Sequence, residues 1–166
     1  MLKFHMFLIL LILIMLIQAG CGYHFGSVPY DKIYTDIKLE MFENFTNPYQ
    51  PGLENRLNQA ITEELMTSAY SIVSNSIIPD VSISGRIIDH SQNVLSTSPD
   101  QVPTEISLSI TIHARFKYKS GRGVEHVIKS DPEPYAVVLG EKREDAEKRA
   151  LSETARKILL LLSGIE

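Results

Sequence analysis

Apolar and polar residues alternate strictly between Thr104 and Lys119, and this pattern predicts a long strand with two different faces. One face is apolar and is expected to pack against helices: Ile106, Leu108, Ile110, Ile112, Ala114, Phe116 and Tyr118. The other face is hydroxylic in its first half and cationic in its second half: Ser107, Ser109, Thr111, His113, Arg115, Lys117 and Lys119. The pattern therefore predicts a sheet that is packed on one side and solvated on the other.

Three further strands are predicted by shorter runs of alternating residues bounded by glycine, proline or asparagine. The runs are Thr35–Phe42, Val81–Ile88 and Gly123–Ser130, the last with an extension from Tyr135 to Leu139 left open. Ser120–Gly123 contains two glycines and predicts a hairpin turn between the third and fourth strands. Together with the long strand, these runs predict a mixed sheet of about four strands.

Apolar residues spaced three and four positions apart predict two helices, Leu53–Ala69 and Glu141–Leu162. Within the second helix, Leu159–Leu162 is apolar all round, which favours burial in the core over contact with a partner. Ser91–Pro103 has two prolines and many polar residues, and it is predicted to be a loop of a length typical of functional segments. The order strand, helix, strands, helix predicts an α+β two-layer sandwich with both helices on one face of the sheet.

The N-terminus has the layout of a secretory signal peptide. Lys3 precedes an unbroken apolar run of twelve residues, Met6–Ile17, which Gln18, Ala19 and Gly20 follow. A membrane-spanning helix needs roughly 20 apolar residues, so a cleaved signal over residues 1–20 is favoured over an uncleaved anchor helix.

Cys21 is the only cysteine of the sequence, so an exported chain would carry one thiol without an internal partner. Ala19, Gly20 and Cys21 resemble the processing site of bacterial lipoprotein precursors, although Gln18 stands where that pattern usually has leucine. The resemblance implies a lipid on Cys21 and one tethered domain over residues 21–166, and Gly22 after the cysteine resembles lipoproteins of the outer membrane. The alternative is a free thiol after ordinary signal cleavage.

The charge balance limits the classes of partner. The sequence has 16 basic and 20 acidic side chains, and loss of the signal peptide lowers the formal net charge from −4 to −5. Such a chain is not a bulk nucleic-acid binder. The residues after the signal suffice for one domain without a disulfide or metal to stabilise it.

Against this acidic background, cations cluster at one end of the long strand. Arg115, Lys117 and Lys119 share a face, Arg122 lies in the adjoining turn, and the sequence between Glu105 and Glu125 has no acid. Arginine and lysine at this spacing suit an extended polyanion or a phosphorylated sugar, so these four residues are the candidate binding site. The alternative is an ordinary solvated strand face whose lysines discourage edge-to-edge association.

The sequence gives little support for catalysis. His24, His90, His113 and His126 lack the spacing and the carboxylate partners of a metal or hydrolytic site, and Gly-x-Ser-x-Gly, Cys-x-x-Cys and phosphate-binding glycine loops are missing from the sequence. We expect no enzyme activity, metal or cofactor. A Ser-His-Asp site assembled from distant residues is the alternative.

Three short motifs resemble the LptE family of lipopolysaccharide-assembly lipoproteins. They are Cys21-Gly22-Tyr23-His24-Phe25, Phe42-Glu43-Asn44 with Thr46, and Arg143-Glu144-Asp145-Ala146 through Ala155. The resemblance implies a non-enzymatic protein at the periplasmic side of the outer membrane that plugs the LptD β-barrel, helps it assemble and assists insertion of lipopolysaccharide into the outer leaflet. The competing hypothesis is a generic envelope lipoprotein that scaffolds another outer-membrane machine; an enzyme comes third. The sequence leaves the oligomeric state open.

Overall fold

The computed structural model describes residues 36–68, 70–73 and 78–164, which belong to one compact unit. The predicted signal peptide, Cys21 and the motif that begins there lie outside the described residues. Cleavage after Gly20 and lipidation of Cys21 therefore stay predictions.

Two helices and a mixed sheet of seven strands make up the described fold, which confirms the predicted α+β class. The helices are α1, Leu53–Thr67, and α2, Arg143–Gly164. The strands are β1 Asp36–Leu39, β2 Glu43–Asn44, β3 Ser71–Ile72, β4 Val81–Thr97, β5 Pro103–Tyr118, β6 Gly123–Lys129 and β7 Glu133–Ala136. A short 3-10 helix, Val137–Leu139, follows β7.

The strand order is β3-β1-β4-β5-β6, with β2 also beside β4 and β7 also beside β5. The pairs β4-β5, β5-β6 and β5-β7 are antiparallel, whereas β1 and β2 run parallel to β4. The predicted four strands become seven because β2, β3 and β7, which lie outside the predicted strands in whole or in part, are too short for a clear alternation in the sequence.

The predicted loop over Ser91–Pro103 is wrong. β4 continues to Thr97 and β5 begins at Pro103, so only residues 98–102 separate the two strands. Hydroxyl groups meet across the ladder, from Ser91 to Ser109 at 2.9 Å and from Ser96 to Thr104 at 2.7 Å. Polar side chains on the two strands therefore form hydrogen bonds with each other, and this pairing outweighs their low strand propensity.

The core lies between the helices and the inner face of the sheet. β5 contributes Leu108, Ile110, Ile112, Ala114 and Phe116, as its alternation predicts. The buried stripes of the helices are Leu53, Leu57, Ile61 and Leu65 in α1, and Ala146, Ala150, Leu151, Ala155, Ile158 and Leu162 in α2.

Two serines depart from the expected solvated face. Ser107 and Ser109 are buried, because their hydroxyls lie against β4 near Asn93 and Ser91. Helix α2 begins at Arg143 and not at Glu141, since the Glu141 carboxylate accepts a hydrogen bond from the Ala136 amide ahead of the helix.

Asn44 and Thr46 form the turn that leads into α1. The Asn44 amide donates to the Gln50 carbonyl at 2.7 Å and to Glu54 at 2.9 Å, and its oxygen accepts from the Thr46 hydroxyl at 2.8 Å. The Gln50 amide in turn donates to the Thr46 hydroxyl. These bonds satisfy the polar groups of a partly buried turn, so the motif that ends at Thr46 has a structural role here.

Candidate functional site

The side of the sheet away from the helices carries the predicted cationic residues. Three rows of side chains cross it, because the strand register aligns Ser82 with Lys117, Ser84 with Arg115, and Arg86 with His113. We call this surface the outer sheet face; its members are Lys38, Ser82, Ser84, Arg86, His113, Arg115, Lys117, Glu125 and Val127.

Glu125 lies at the centre of an exposed network on β6 and β5. The Arg115 guanidinium donates to Glu125 Oε1 at 2.6 Å, and His113 Nε2 lies 3.3 Å from Glu125 Oε2. The hydrogen bond from Arg115 and the positive charge of that residue lower the pKa of the Glu125 carboxyl below its ordinary value. The carboxyl is therefore ionised at neutral pH and neutralises part of the cationic face.

A shallow depression of about 450 Å³ lies beside this network. Its lining combines both signs of charge with an apolar side chain: Glu40, Met41, Glu43, Ser84, Gly85, Arg86, His113 and Arg115. The Arg86 guanidinium stacks over the ring of Phe45 at 5.7 Å from the ring centre. An arginine that already lies over an aromatic ring is held in place for a second, anionic contact.

The structure brings the four predicted site residues to one end of the sheet. Arg115 and Lys117 lie on the outer sheet face, Lys119 follows the end of β5, and Arg122 lies in the hairpin turn, where its carbonyl accepts from the Tyr118 amide. Lys119 lies 3.9 Å from the Asp80 carboxylate. In the part of the chain that the structure describes, no ion pair within 4 Å involves Lys117 or Arg122.

Two carboxylates reach this surface, which the sequence pattern did not predict. The segment from 106 to 124 has no acid, but cross-strand pairing places Glu125 beside Arg115, and Asp80 approaches Lys119. Arg86 also lies on this surface and was not among the predicted site residues. The alternation of Val81, Ile83 and the polar residues between them places Arg86 on the outer side, so the same pattern could have identified it.

A second cluster of charges lies between the sheet and the helices. The Glu147 carboxylate on α2 accepts from Arg56 Nε at 2.6 Å, lies 3.2 Å from His90 Nε2 on β4 and 3.6 Å from Arg143. Glu147 is buried, with 5% of its surface exposed. Two histidines, His90 and His113, thus have carboxylate partners, which the sequence analysis did not foresee.

Burial raises the pKa of Glu147, but the hydrogen bond with His90 and the charge of Arg56 outweigh it, so the pKa lies below its ordinary value. Glu147→Gln should lower the free energy of unfolding at pH 7 by about 2 kcal/mol, because Arg56 and His90 lose a charged acceptor. A depressed carboxyl pKa stabilises the fold above the unfolded-state value and loses that contribution as pH falls. As the pH falls from about 5 to about 3, the free energy of unfolding should therefore decrease less for the variant than for the wild type.

Urea unfolding at several pH values measures this. The control is Glu144→Gln, an exposed residue on the same helix, which should change stability by about 0.5 kcal/mol or less. A loss for Glu147→Gln no larger than that of the control would contradict a stabilising role for the cluster.

Among the described residues, no group of three or more histidine, cysteine, aspartate or glutamate side chains is arranged to hold a metal ion. No helix within the described ranges is long and apolar enough to cross a membrane.

Comparison with known proteins assigns the family. A family model described as "LptE: Lipopolysaccharide-assembly" matches residues 34–162, which is most of the chain. The chain belongs to the LptE family. The predicted family is thereby confirmed, and with it a role in lipopolysaccharide assembly. No curated protein matches this LptE-family chain.

Solved structures share the fold of this LptE-family protein. The rare lipoprotein B from Shewanella oneidensis is 14% identical with a TM-score of 0.54, and the alignment covers 78% of this chain and 94% of that chain. A minor lipoprotein from Acinetobacter baumannii is 14% identical with a TM-score of 0.51, over 80% of this chain and 94% of that chain. A PelC dodecamer from Paraburkholderia phytofirmans is 13% identical with a TM-score of 0.51, over 80% of this chain and 88% of that chain. At these identities the likeness shows the fold alone.

Proposed function

We propose that this protein is a non-enzymatic plug of an LptD-type outer-membrane β-barrel. It occupies the barrel lumen, helps the barrel assemble and assists transport and insertion of lipopolysaccharide into the outer leaflet. Lipid on Cys21 tethers it to the periplasmic side of the outer membrane. The observation that carries the proposal is the outer sheet face, where Arg86, Arg115 and Lys117 project from neighbouring rows of one solvated surface.

The geometry of this surface suits phosphate groups on a glycolipid or acidic groups of a barrel wall. Alternate residues on a strand are about 7 Å apart and neighbouring strands about 4.8 Å apart, so several anionic groups can be contacted at once. Arg115 can exchange its exposed partner Glu125 for a phosphate at little cost, because exposed ion pairs contribute little to stability. Among the described residues, Lys117 and Arg122 have no carboxylate partner within 4 Å that a phosphate would have to displace.

The experiment is affinity purification of the tagged full-length protein from native outer membranes in detergent. We expect one large barrel protein in an equal amount, retained in 1 M salt, because a plug buries far more surface than a transient contact. Salt up to this concentration screens the charges of an electrostatic contact. Recovery of a different machine in place of the barrel would favour the competing scaffold function, and a chain purified without any stable partner would contradict both.

A second candidate comes from the shared fold. PelC forms a dodecamer, so a ring of this chain could scaffold another envelope machine. Sedimentation of the same purified sample separates the two functions, since a plug gives a one-to-one complex and a scaffold gives a large homo-oligomer.

A further inference from the structure

The long β4 strand has an open edge in its second half. β1 pairs with β4 as far as Ile83, and β2 pairs with it as far as Ile87. Beyond that point β4 continues for ten residues, to Thr97, and β5 lies on one side of it. On the other side, no strand within residues 36–68, 70–73 and 78–164 pairs with this part of β4.

The register shows which backbone groups face the open side. The Ile110 amide donates to the Ser130 hydroxyl, and the Ile110 carbonyl accepts from the Ser130 amide, so both groups point away from β4. Ile110 and its cross-strand partner His90 are therefore a non-hydrogen-bonded pair. It follows that the amides and carbonyls of His90, Gln92 and Val94 point away from β5, towards the open edge.

In the described part of the chain, no strand covers this edge and no lysine lies on it. Folded proteins protect edge strands with lysine, proline or a covering element. At the other end of the sheet, β6 has Lys129 on its edge, and the Lys157 ammonium donates to the Lys129 carbonyl. By contrast, the segment from 87 to 114, which includes the β4 edge, contains neither lysine nor arginine.

Exposed apolar side chains lie beside this edge, at the tip of the β4-β5 hairpin. Val94 and Leu95 are each 54% exposed, and Val102 is 57% exposed. Acids are the charged residues of this region: Asp89, Asp100 and Glu105. The edge of β4 and the adjoining hairpin tip therefore offer a partner three backbone amide-carbonyl pairs, exposed apolar side chains and negative charge.

We propose that the edge of β4 from His90 to Val94 is a docking site for an extended segment of a partner protein, which adds to the sheet as a strand. Main-chain hydrogen bonds supply affinity in this mode of binding, and alternate side chains supply specificity. The partner segment alternates apolar with basic residues, because the apolar tip and the acids are complementary to such a strand. A second copy of this chain is disfavoured, since its own segment from 87 to 114 has no lysine or arginine to complement the acids. The site is separate from the outer sheet face and adds a contact to the proposed function.

The test uses the full-length mature protein with two synthetic peptides, four Lys-Val repeats and four Glu-Val repeats, followed by NMR. We expect the basic peptide to bind and to protect the amides of His90, Gln92 and Val94 from hydrogen exchange. The acidic peptide should bind at least tenfold more weakly. Equal binding of the two peptides, or protection elsewhere in the sheet, would overturn the proposal.

A matched pair of variants isolates the backbone contact. Gln92→Pro removes an edge amide, whereas Gln92→Ala keeps it, and both lose the hydrogen bond from the Tyr135 hydroxyl. The proline variant should bind the basic peptide at least tenfold more weakly, and the alanine variant within twofold of wild type. Equal losses in both would reject strand addition. Val94→Lys places a cation on the edge and should give the same tenfold loss if the proline variant fails to fold.

Sedimentation of the protein alone tests whether a second copy of this chain occupies the edge of β4. Concentration-dependent dimers that Gln92→Pro abolishes would show that a second copy occupies the edge, and this result would also overturn the proposed partner. The proposed plug function is tested separately, by the affinity purification of the barrel.

Discussion

Gly85→Ala is expected to destabilise the protein by about 3 kcal/mol. A β-carbon at this position would overlap the His113 carbonyl oxygen of β5 and lie 2.6 Å from Cε1 of Phe42. Phe42 is fully buried, and the His113 carbonyl belongs to the backbone of the central strand pair, so neither can move freely. The strands would have to separate where β2, β4 and β5 meet, beneath the outer sheet face.

Urea unfolding of the mature protein measures this loss. The matched control is Gly123→Ala in β6, where the nearest heavy atom to the added carbon is the Phe116 carbonyl oxygen at 3.9 Å. That variant should be neutral or slightly stabilising, because alanine restricts the unfolded chain. A Gly85→Ala protein as stable as the control would mean that β4 and β5 do not approach as closely as described.

Reversal of three charges at the cationic end is expected to weaken lipopolysaccharide binding at least tenfold. The variant combines Arg115→Glu, Lys117→Glu and Lys119→Glu, and tenfold corresponds to about 1.4 kcal/mol. Each substitution replaces a donor for phosphate with a group that repels it. None of the three side chains lies in the core, so the fold should persist. The new carboxylate beside Glu125 should cost little stability, since both positions are exposed.

The control applies the same charge change to the helix side. Lys142, Lys148 and Arg156 are exposed residues on or next to α2, and their replacement by glutamate should leave binding within about twofold of wild type. Binding is measured with purified lipopolysaccharide at fixed salt, because the ionic strength sets the size of the effect. Unchanged binding in the first variant, or an equal loss in both, would reject the outer sheet face as the binding surface.

Local patterns were sufficient to predict part of this structure. The alternation in β5 predicted the buried apolar residues from Leu108 to Tyr118, and the three-and-four spacing predicted both helices, because side-chain direction along a strand or helix is set by local backbone geometry. The same alternation predicted that Arg115 and Lys117 share a solvated face, and three short motifs predicted the LptE family.

The tertiary structure decided which residues from different elements are in contact. Glu125 is ten positions from Arg115, and Glu147 is 57 positions from His90, yet both pairs are in contact. The polar segment after Ile88 became a strand because β5 supplies hydrogen-bonding partners along it. Such contacts depend on strand register and on helix packing, and both are set by residues that are distant in the sequence. The sequence by itself therefore determined which side chains share a face of a strand or helix. Only the tertiary structure decided which side chains from different elements are in contact.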